Sequence, residues 1–360
     1  MQSRVAFLLP TDSERCTGGH IYDTRVVREL RARGWMIDEH DLPPGFPRPG
    51  AAARLESGRI LARFPAGTLL LSDSYATSTL PKVMAAQGGR LRLVSIVHHP
   101  FAAEPGLEPG QQRRLVTAER VALRHLTHAI VTSRLTRATL ERGYGLPAAR
   151  ITLAYPGTDP GPLARGSGAA APVLLALGTV MPRKDHLGLI EALGTLPDLP
   201  WRLRVVGNLA RFPKTVATAM ARAAALGIAD RVEFAGELHT EALASAFQRA
   251  DLLVSASRHE GFGMALAEGV ARGLPVVAVA SGAIPEWLTS EAALLVPLDD
   301  PAVLAAALRA AILDQPLRQR LRAGALRLRH RLPTWSTTAV AVEQALVTAA
   351  AAPLPSTGAA

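Results

Sequence analysis

Two glutamates, Glu260 and Glu268, flank a Gly-Phe-Gly turn in the segment "HEGFGMALAEGVARGLPVV", residues 259–277. A carboxylate accepts hydrogen bonds from hydroxyls, and the free amides of a turn that opens a helix attract phosphate. A ligand carrying both sugar hydroxyls and phosphate would use both ends of such a turn. Spacing alone does not establish this, because Glu233 and Glu241 are equally far apart, one inside the strand pattern "RVEFAG" and the other opening an ordinary amphipathic helix. Context separates the pairs. The apolar run "LLVSAS" precedes the first pair, so Glu260 falls in the loop closing a strand, and Glu268 in the first two turns of a helix predicted to start near Gly263.

Three more loops carry candidate chemistry. In "LLALGTVMPRKDHLGLIEAL", Arg183 and Lys184 stand shortly after a strand end and at the mouth of a helix. A planar guanidinium beside a compact ammonium suits a diphosphate, and neutralising that leaving group is the main requirement for breaking a sugar–phosphate bond. The lysines are only Lys82, Lys184 and Lys214 in a chain with 40 basic side chains, so a lysine kept here points to a geometric need, with chance as the rival reading. Gly18 and Gly19 immediately precede the helix pattern "IYDTRVVRELRARG" and would let the backbone approach an anion, although a tight turn without a ligand explains them too. His98 and His99 follow "RLRLVSIV". An imidazole there can donate to a sugar hydroxyl or to developing charge, or simply cap and pack.

These loops need strands to hold them. Apolar runs at "RVAFLLP", "TLLLSD", "RLRLVSIV", "HAIVTS" and "RITLAYP" are each followed by a helical or turn segment, and a second series follows at "VLLALG", "WRLRVVG", "RVEFAG", "LLVSAS", "PVVAVA" and "ALLVP". Between the series lies a Gly/Pro/Ala stretch without periodicity. The fold class is therefore α/β, with two doubly wound Rossmann-like domains facing a central cleft. The expected boundaries are 1–160 for the acceptor-side domain, 161–172 for the linker and 173–332 for the donor-side domain. Ligands of open α/β sheets bind beyond the carboxyl ends of the strands, where all the loops named above lie.

Composition narrows the function class. An apolar content of 48% with 19% charged residues is that of a globular chain with sizeable cores. No run approaches a membrane span, and the N-terminal apolar stretch is too short for a secretory signal, so a cytoplasmic protein is expected. The single cysteine, Cys16, reads as a plain loop thiol and excludes an internal disulfide or a cysteine-rich metal site. The net charge of +10 suits phosphate-bearing ligands, an acidic membrane surface or nucleic acid. No aromatics interleave with the basic residues, so no nucleic-acid partner is expected. Two basic helices, "QQRRLVTAERVALRHL" and "PLRQRLRAGALRLRHRL", admit peripheral membrane contact at most; the leucine stripe of the second, Leu317, Leu321, Leu328 and Leu332, reads first as a packing face. Competing motifs fail. "GSGAAA" lies in the linker rather than after a strand, and His259-Glu260 lacks the second histidine of a zinc helix.

The segment "SRHEGFGMALAEGVARGLPVVAVASGAIPEWL" resembles the signature of glycosyltransferase family 4, the retaining nucleotide-sugar transferases of GT-B fold, with Glu260 and Glu268 at its two glutamates. The Gly-Gly loop, the strand-end histidine, Gly178 followed by Arg183-Lys184, and a final helix after Trp335 fall in the family's order along nearly the whole chain. The resemblance implies transfer of a hexosyl group from a UDP- or GDP-sugar to an acceptor hydroxyl without a metal or other cofactor. No Asp-x-Asp motif occurs, in agreement. It further implies that Arg183 and Lys184 hold the donor diphosphate, Glu268 the ribose and Glu260 the transferred sugar. The Gly19 amide would meet the distal phosphate, with Gly18 beside it, and His98 the C6 side of the sugar. Gly178, Leu238, Gly261, Phe262, Gly263 and Met264 complete the donor site, His99 falls on the acceptor side, and no residue is assigned to a metal. Residues 333–352 would form a helix packing back toward the N-terminal domain, with 353–360 as a tail. Asp185 and Gly269 stand where the family usually has glycine and alanine. The expected acceptor is a small soluble alcohol such as a pteridine or cyclitol. A lipid-linked or polysaccharide acceptor is the first alternative; a nucleotide-sugar epimerase and a non-catalytic binder are the alternatives of another class.

Overall fold

The computed structural model describes residues 3–10 and 17–354; Cys16 and residues 355–360 of the tail lie outside them. The chain divides into two compact units, Met1–Gly157 with Pro333–Ala360, and Thr158–Leu332.

The first unit is built on a six-stranded sheet of β1 (Arg4–Pro10), β2 (Met36–Leu42), β3 (Leu69–Asp73), β4 (Arg92–Val97), β5 (His128–Val131) and β6 (Ile151–Leu153). All pairs are parallel and the order is β2-β1-β3-β4-β5-β6. Helices cover both faces of such a sheet, so its inner strands read as continuous apolar runs; β3 and β5 are buried at every position. The edge strand β2, "MIDEHDL", buries only Ile37 and Leu42 and carries three acids, which is why no apolar run announces it.

The second unit repeats the plan with β7 (Val173–Leu177), β8 (Arg202–Val206), β9 (Val232–Gly236), β10 (Leu252–Ser255), β11 (Val276–Val279) and β12 (Ala293–Val296), in the order β12-β11-β10-β7-β8-β9, again all parallel. In each sheet the chain reverses its direction of winding at one point, β1/β3 in the first and β7/β10 in the second. Loops at such a reversal diverge to opposite faces and leave a crevice at the carboxyl ends.

Residues 161–172 contain no helix or strand, yet they are laid firmly on the second unit. Ala164 is fully buried and its amide bonds to the Arg272 carbonyl, while Asp251 receives the Ser167 hydroxyl and the amides of Ser167 and Val173. The final helix, Trp335–Ala351, belongs to the first unit: Val342 and Leu346 are buried there, and the Thr338 hydroxyl donates to the Tyr155 carbonyl at 2.7 Å. Gly157 is needed where the outgoing chain passes the start of this helix, since a Cβ would lie 2.3 Å from the Trp335 nitrogen.

Candidate active site

In the second unit the functional loops follow β7 and β10, the neighbouring strands at the reversal. β7 ends at Leu177, and Gly178 takes a φ of 134°. A Cβ on Gly178 would come within 2.9 Å of Lys184 Cε, so this glycine makes room for the lysine stem as it turns back over the strand end. Lys184 Nζ donates to Glu260 Oε1 at 2.6 Å. Arg183 Nη1 donates to the His259 carbonyl at 2.8 Å and lies 3.6 Å from Glu260 Oε2. The two cations thus converge on a single carboxylate that is only 7% exposed. Burial alone would push the Glu260 carboxyl up, but the charges of Lys184 and Arg183 outweigh it and hold the group down at about 2.

The backbone around Glu260 is fixed from behind. Its carbonyl accepts the Ala283 amide at 2.9 Å, and Gly282, at φ 57°, passes so close that a Cβ would lie 2.1 Å from that oxygen. Arg258 ties the two loops together. Its amide donates to the Arg183 carbonyl at 2.8 Å, while its guanidinium reaches Asp299 at 2.5 Å and Asp185 at 3.7 Å.

Asp185 has a physical reason to stand where the family usually has glycine. Its φ of 49° is in the left-handed region that glycine fits best and aspartate tolerates. Its carboxylate also caps the helix His186–Gly194, accepting the Gly188 amide at 3.0 Å. Gly269, the other departure, lies where a Cβ would come within 2.4 Å of Leu253 Cδ2, so the helix Met264–Ala271 rests directly on β10.

That helix opens at Gly263, whose φ is 93° and which offers no side-chain cap. Its first amides, those of Met264 and Ala265, are therefore placed to meet an anion, while the Leu266 amide already donates to the Gly263 carbonyl at 2.9 Å. Phe262 is buried and stacks on Trp287 with centroids 5.4 Å apart, and Trp287 Nε1 donates to the Phe262 carbonyl at 2.8 Å. The phenyl ring is thus a prop for the Gly261–Gly263 turn. Glu268 is half-buried on the helix's second turn, Met264 is half-buried at its start, and Leu238 packs partly buried against the core behind β7 and β10.

In the first unit the helix runs Gly18–Ala32 with Thr17 as its cap. Gly18 and Gly19 therefore lie inside its first turn, which corrects the expectation that they precede it. The Thr17 hydroxyl accepts the His20 amide at 3.3 Å, leaving the glycine amides at the helix start. Gly19 backs onto His98, where a Cβ would lie 3.1 Å from the ring. His98 follows β4, and its carbonyl accepts the hydroxyls of Thr132 and Thr136 at 3.1 and 3.2 Å. Its Nε2 stands 3.5 Å from Asp23 Oδ1 and 3.5 Å from Asp73 Oδ2, distances of ion pairs rather than of formed hydrogen bonds. Burial opposes the imidazolium, but the two carboxylates prevail and hold His98 up at about 10. Burial, followed by the charge of Asp73, pushes the Asp23 carboxyl up to about 6 against the pull of His98. His99 turns elsewhere, with Nε2 2.8 Å from Glu104 Oε1.

Asp23 and Asp73 escape sequence reasoning because neither stands at a motif spacing, whereas Arg258 and Trp287 lie within the signature segment but give no sign there of the Asp299 and Phe262 contacts they make. Only the strand order and the helix face bring Asp23 and Asp73 to the His98 loop. Asp23, Asp73 and His98 place ligand-type atoms within 4.8 Å of one another, but an imidazolium between two carboxylates already balances most of the charge a cation would meet.

The family model of Glycosyltransferase Family 4 matches residues 23–161, and that of Glycosyl transferases group 1 matches residues 165–327. A D-inositol 3-phosphate glycosyltransferase of Xylanimonas cellulosilytica is 33% identical over 67% of this chain, and the match spans 61% of that relative's length. The protein of the same name from Jonesia denitrificans is 27% identical over 88% of this chain and 80% of its own. Among solved structures, sucrose-phosphate synthase from Thermosynechococcus elongatus superposes with a TM-score of 0.80 at 20% identity, over 95% of this chain and 98% of that one. With two all-parallel, doubly wound sheets and a family match in each unit, the chain belongs to the GT-B-fold glycosyltransferases of family 4 and group 1.

Proposed function

We propose that the protein moves a hexosyl group from a nucleoside-diphosphate sugar, UDP- or GDP-linked, to a hydroxyl of a small soluble acceptor of the cyclitol kind, with retention of anomeric configuration. The observation that carries this reading is the convergence of Lys184 and Arg183 on buried Glu260 at the carboxyl ends of β7 and β10. Two cations neutralised by one carboxylate are a site with charge to offer a diphosphate. When the donor binds, its phosphates take over the cations, and Glu260 is released to accept a hydroxyl of the transferred sugar. Bond cleavage then throws further negative charge onto the distal phosphate, where Lys184 and Arg183 stabilise it without a metal ion.

Glu268 is assigned to the ribose, the Gly263–Met264 amides and the Gly19 amide to phosphate, and His98 to the sugar; the family resemblance supports these roles. The names of the relatives support a cyclitol-type acceptor. Membrane contact is at most peripheral and is not needed for turnover.

The test is a screen of UDP- and GDP-hexoses against inositol, inositol 3-phosphate, pteridine and lipid-linked acceptors, read by mass spectrometry, with the anomeric configuration of the product read by NMR. A glycosylated soluble alcohol of retained configuration is expected, at undiminished rate in a chelator. Turnover confined to lipid or polysaccharide acceptors would overturn the acceptor assignment. A new nucleotide sugar or free sugar formed without acceptor would overturn the reaction class.

A further inference from the structure

The first unit holds a buried cluster of unlike charges whose carboxylates have no part in the transfer described above. Asp23 comes from the helix Gly18–Ala32, Asp73 from the end of β3, and His98 from the loop after β4, so the trio sits at the reversal of the first sheet. The carboxylates are 3% and 6% exposed. Asp73 uses one oxygen to cap the helix Ser74–Thr79, accepting the Tyr75 amide, and turns the other to His98. Asp23 Oδ1 is buried and has no hydrogen-bond partner; the nearest polar atom of opposite charge is His98 Nε2.

Everything around the ring fixes it. Thr132 and Thr136 hold its backbone carbonyl, the Tyr22 ring packs edge-on at 5.2 Å, and Gly19 closes the side where a Cβ would collide. The groups facing His98 are Asp23 and the neutral Tyr22 from the helix and Asp73 from the strand; among the described residues no other ionisable side chain lies within ion-pair distance.

We propose that Asp23 and Asp73 are positioning residues that make His98 a fixed hydrogen-bond donor: they engage Nε2 from the interior, leave Nδ1–H as the atom that meets a ligand, and bar the ring from acting as a general base. A general base must shed its proton near the operating pH, and a ring gripped by two buried carboxylates keeps it. The elevated proton affinity of His98 agrees with this arrangement. A donor of fixed direction suits a sugar hydroxyl or the charge that develops as the glycosidic bond breaks. This inference rests on the proposed transfer for its ligand, but the clamp itself does not.

The experiment separates the two. In the unliganded protein, NMR titration of the His98 ring needs neither donor nor acceptor. The wild-type ring should remain doubly protonated at neutral pH. In Asp23→Asn it should titrate at least one pH unit lower, and in Asp23→Asn with Asp73→Asn it should return toward the ordinary imidazole range of about 6.5. Asparagine keeps both side chains isosteric and still caps the helix at position 73, so Asp23→Asn should fold, and Asp73→Asn alone serves as a second single variant whose ring should titrate lower in the same way. Kinetics then test the role. Asp23→Asn should lower kcat about tenfold, the scale of one weakened charge-assisted hydrogen bond, with donor KM changed less than about twofold. Its rate should also decline above neutral pH, where the wild type holds. If Asp23 acts through His98, Asp23→Asn combined with His98→Gln will be no slower than His98→Gln alone. A ring that titrates identically in wild type and variants would overturn the clamp. A clamp seen by NMR with multiplicative losses in the double variant, or with no loss in Asp23→Asn, would make the carboxylates structural and overturn the positioning role.

Discussion

Lys184 and Arg183 share one carboxylate, and that sharing sets what each substitution costs. Lys184 is the closer partner of Glu260, at 2.6 Å against 3.6 Å for Arg183. Because charge on the leaving diphosphate grows in the transition state, Lys184→Ala and Arg183→Ala should each lower kcat more than they raise the donor KM. Equal losses would mean uniform binding, and near-native turnover in either variant would remove it from the phosphate site. The unliganded protein offers a second readout. Glu260 has its proton affinity depressed in the fold, so its pairing contributes stability that is present above the unfolded carboxyl pKa of about 4.5 and is lost as the pH falls toward about 2. Lys184→Ala removes most of that contribution. Urea denaturation should therefore show the wild type more stable than Lys184→Ala at pH 6 to 7, by roughly 1 to 3 kcal/mol for a buried pair left with its weaker partner, with the gap narrowing below pH 4.5. A gap that widened in acid would contradict the pairing.

At the scale of elements, what could be read in the sequence and what could not divide along physical lines. Buried parallel strands such as "LLLSD" and "RLVSIV" announce themselves as apolar runs, and so do the loops that follow them. The edge strand Met36–Leu42 does not, because an edge needs apolar residues on only part of its surface. The pair Glu260 and Glu268 is local and could be recognised from one segment. Glu260 and Lys184 are 76 positions apart and meet only because β10 lies beside β7, an adjacency no local pattern encodes. The same holds for Asp23, Asp73 and His98, whose meeting depends on the order β1-β3-β4. Gly269 shows an element-scale constraint that the sequence displays only as a departure. Restoring the family's alanine there should improve helix propensity by about 1 kcal/mol, yet its Cβ would meet Leu253, which is buried in β10. Overpacking a closed core costs about 1 to 3 kcal/mol, so Gly269→Ala should lower Tm, and the helix that carries Glu268 should shift enough to raise the donor KM. Adding Leu253→Val should recover part of both losses. If Gly269→Ala alone stabilises the protein, the close packing of this helix on β10 is not limiting.

For the molecule as a whole, the surplus of positive charge raises the question of whether this protein works on a surface. The net charge is +10, and the helix Gln315–Leu328 is both basic and striped with leucine, the composition of a helix that can lie on an anionic bilayer. Its apolar stripe is already occupied. Leu317, Leu321, Ala325 and Leu328 are buried in the second unit, and Gly324 lies so close to the Glu291 carbonyl that no side chain fits between them. Several of its arginines are engaged as well: Arg318 donates to the carbonyls of Ala311 and Ile312 at 2.7 Å, Arg322 to the Ala164 carbonyl, and Arg327 lies 3.5 Å from Glu291. Among the described residues no helix is long and apolar enough to cross a membrane. What remains for a bilayer is diffuse charge, and attraction between exposed charges is screened beyond about 8 Å at physiological salt. Co-sedimentation with vesicles rich in anionic lipid should therefore show weak binding at low salt that disappears near 0.5 M salt, where the screening length falls to roughly half that value. Substituting Arg320 and Arg331 with glutamine should weaken this binding without changing turnover on a soluble acceptor, since both side chains are exposed and neither forms a hydrogen bond or ion pair with the Lys184–Glu260 loops. Vesicle binding that survives high salt would require an apolar insertion that the buried leucine stripe cannot supply, and would overturn the assignment of this helix to packing.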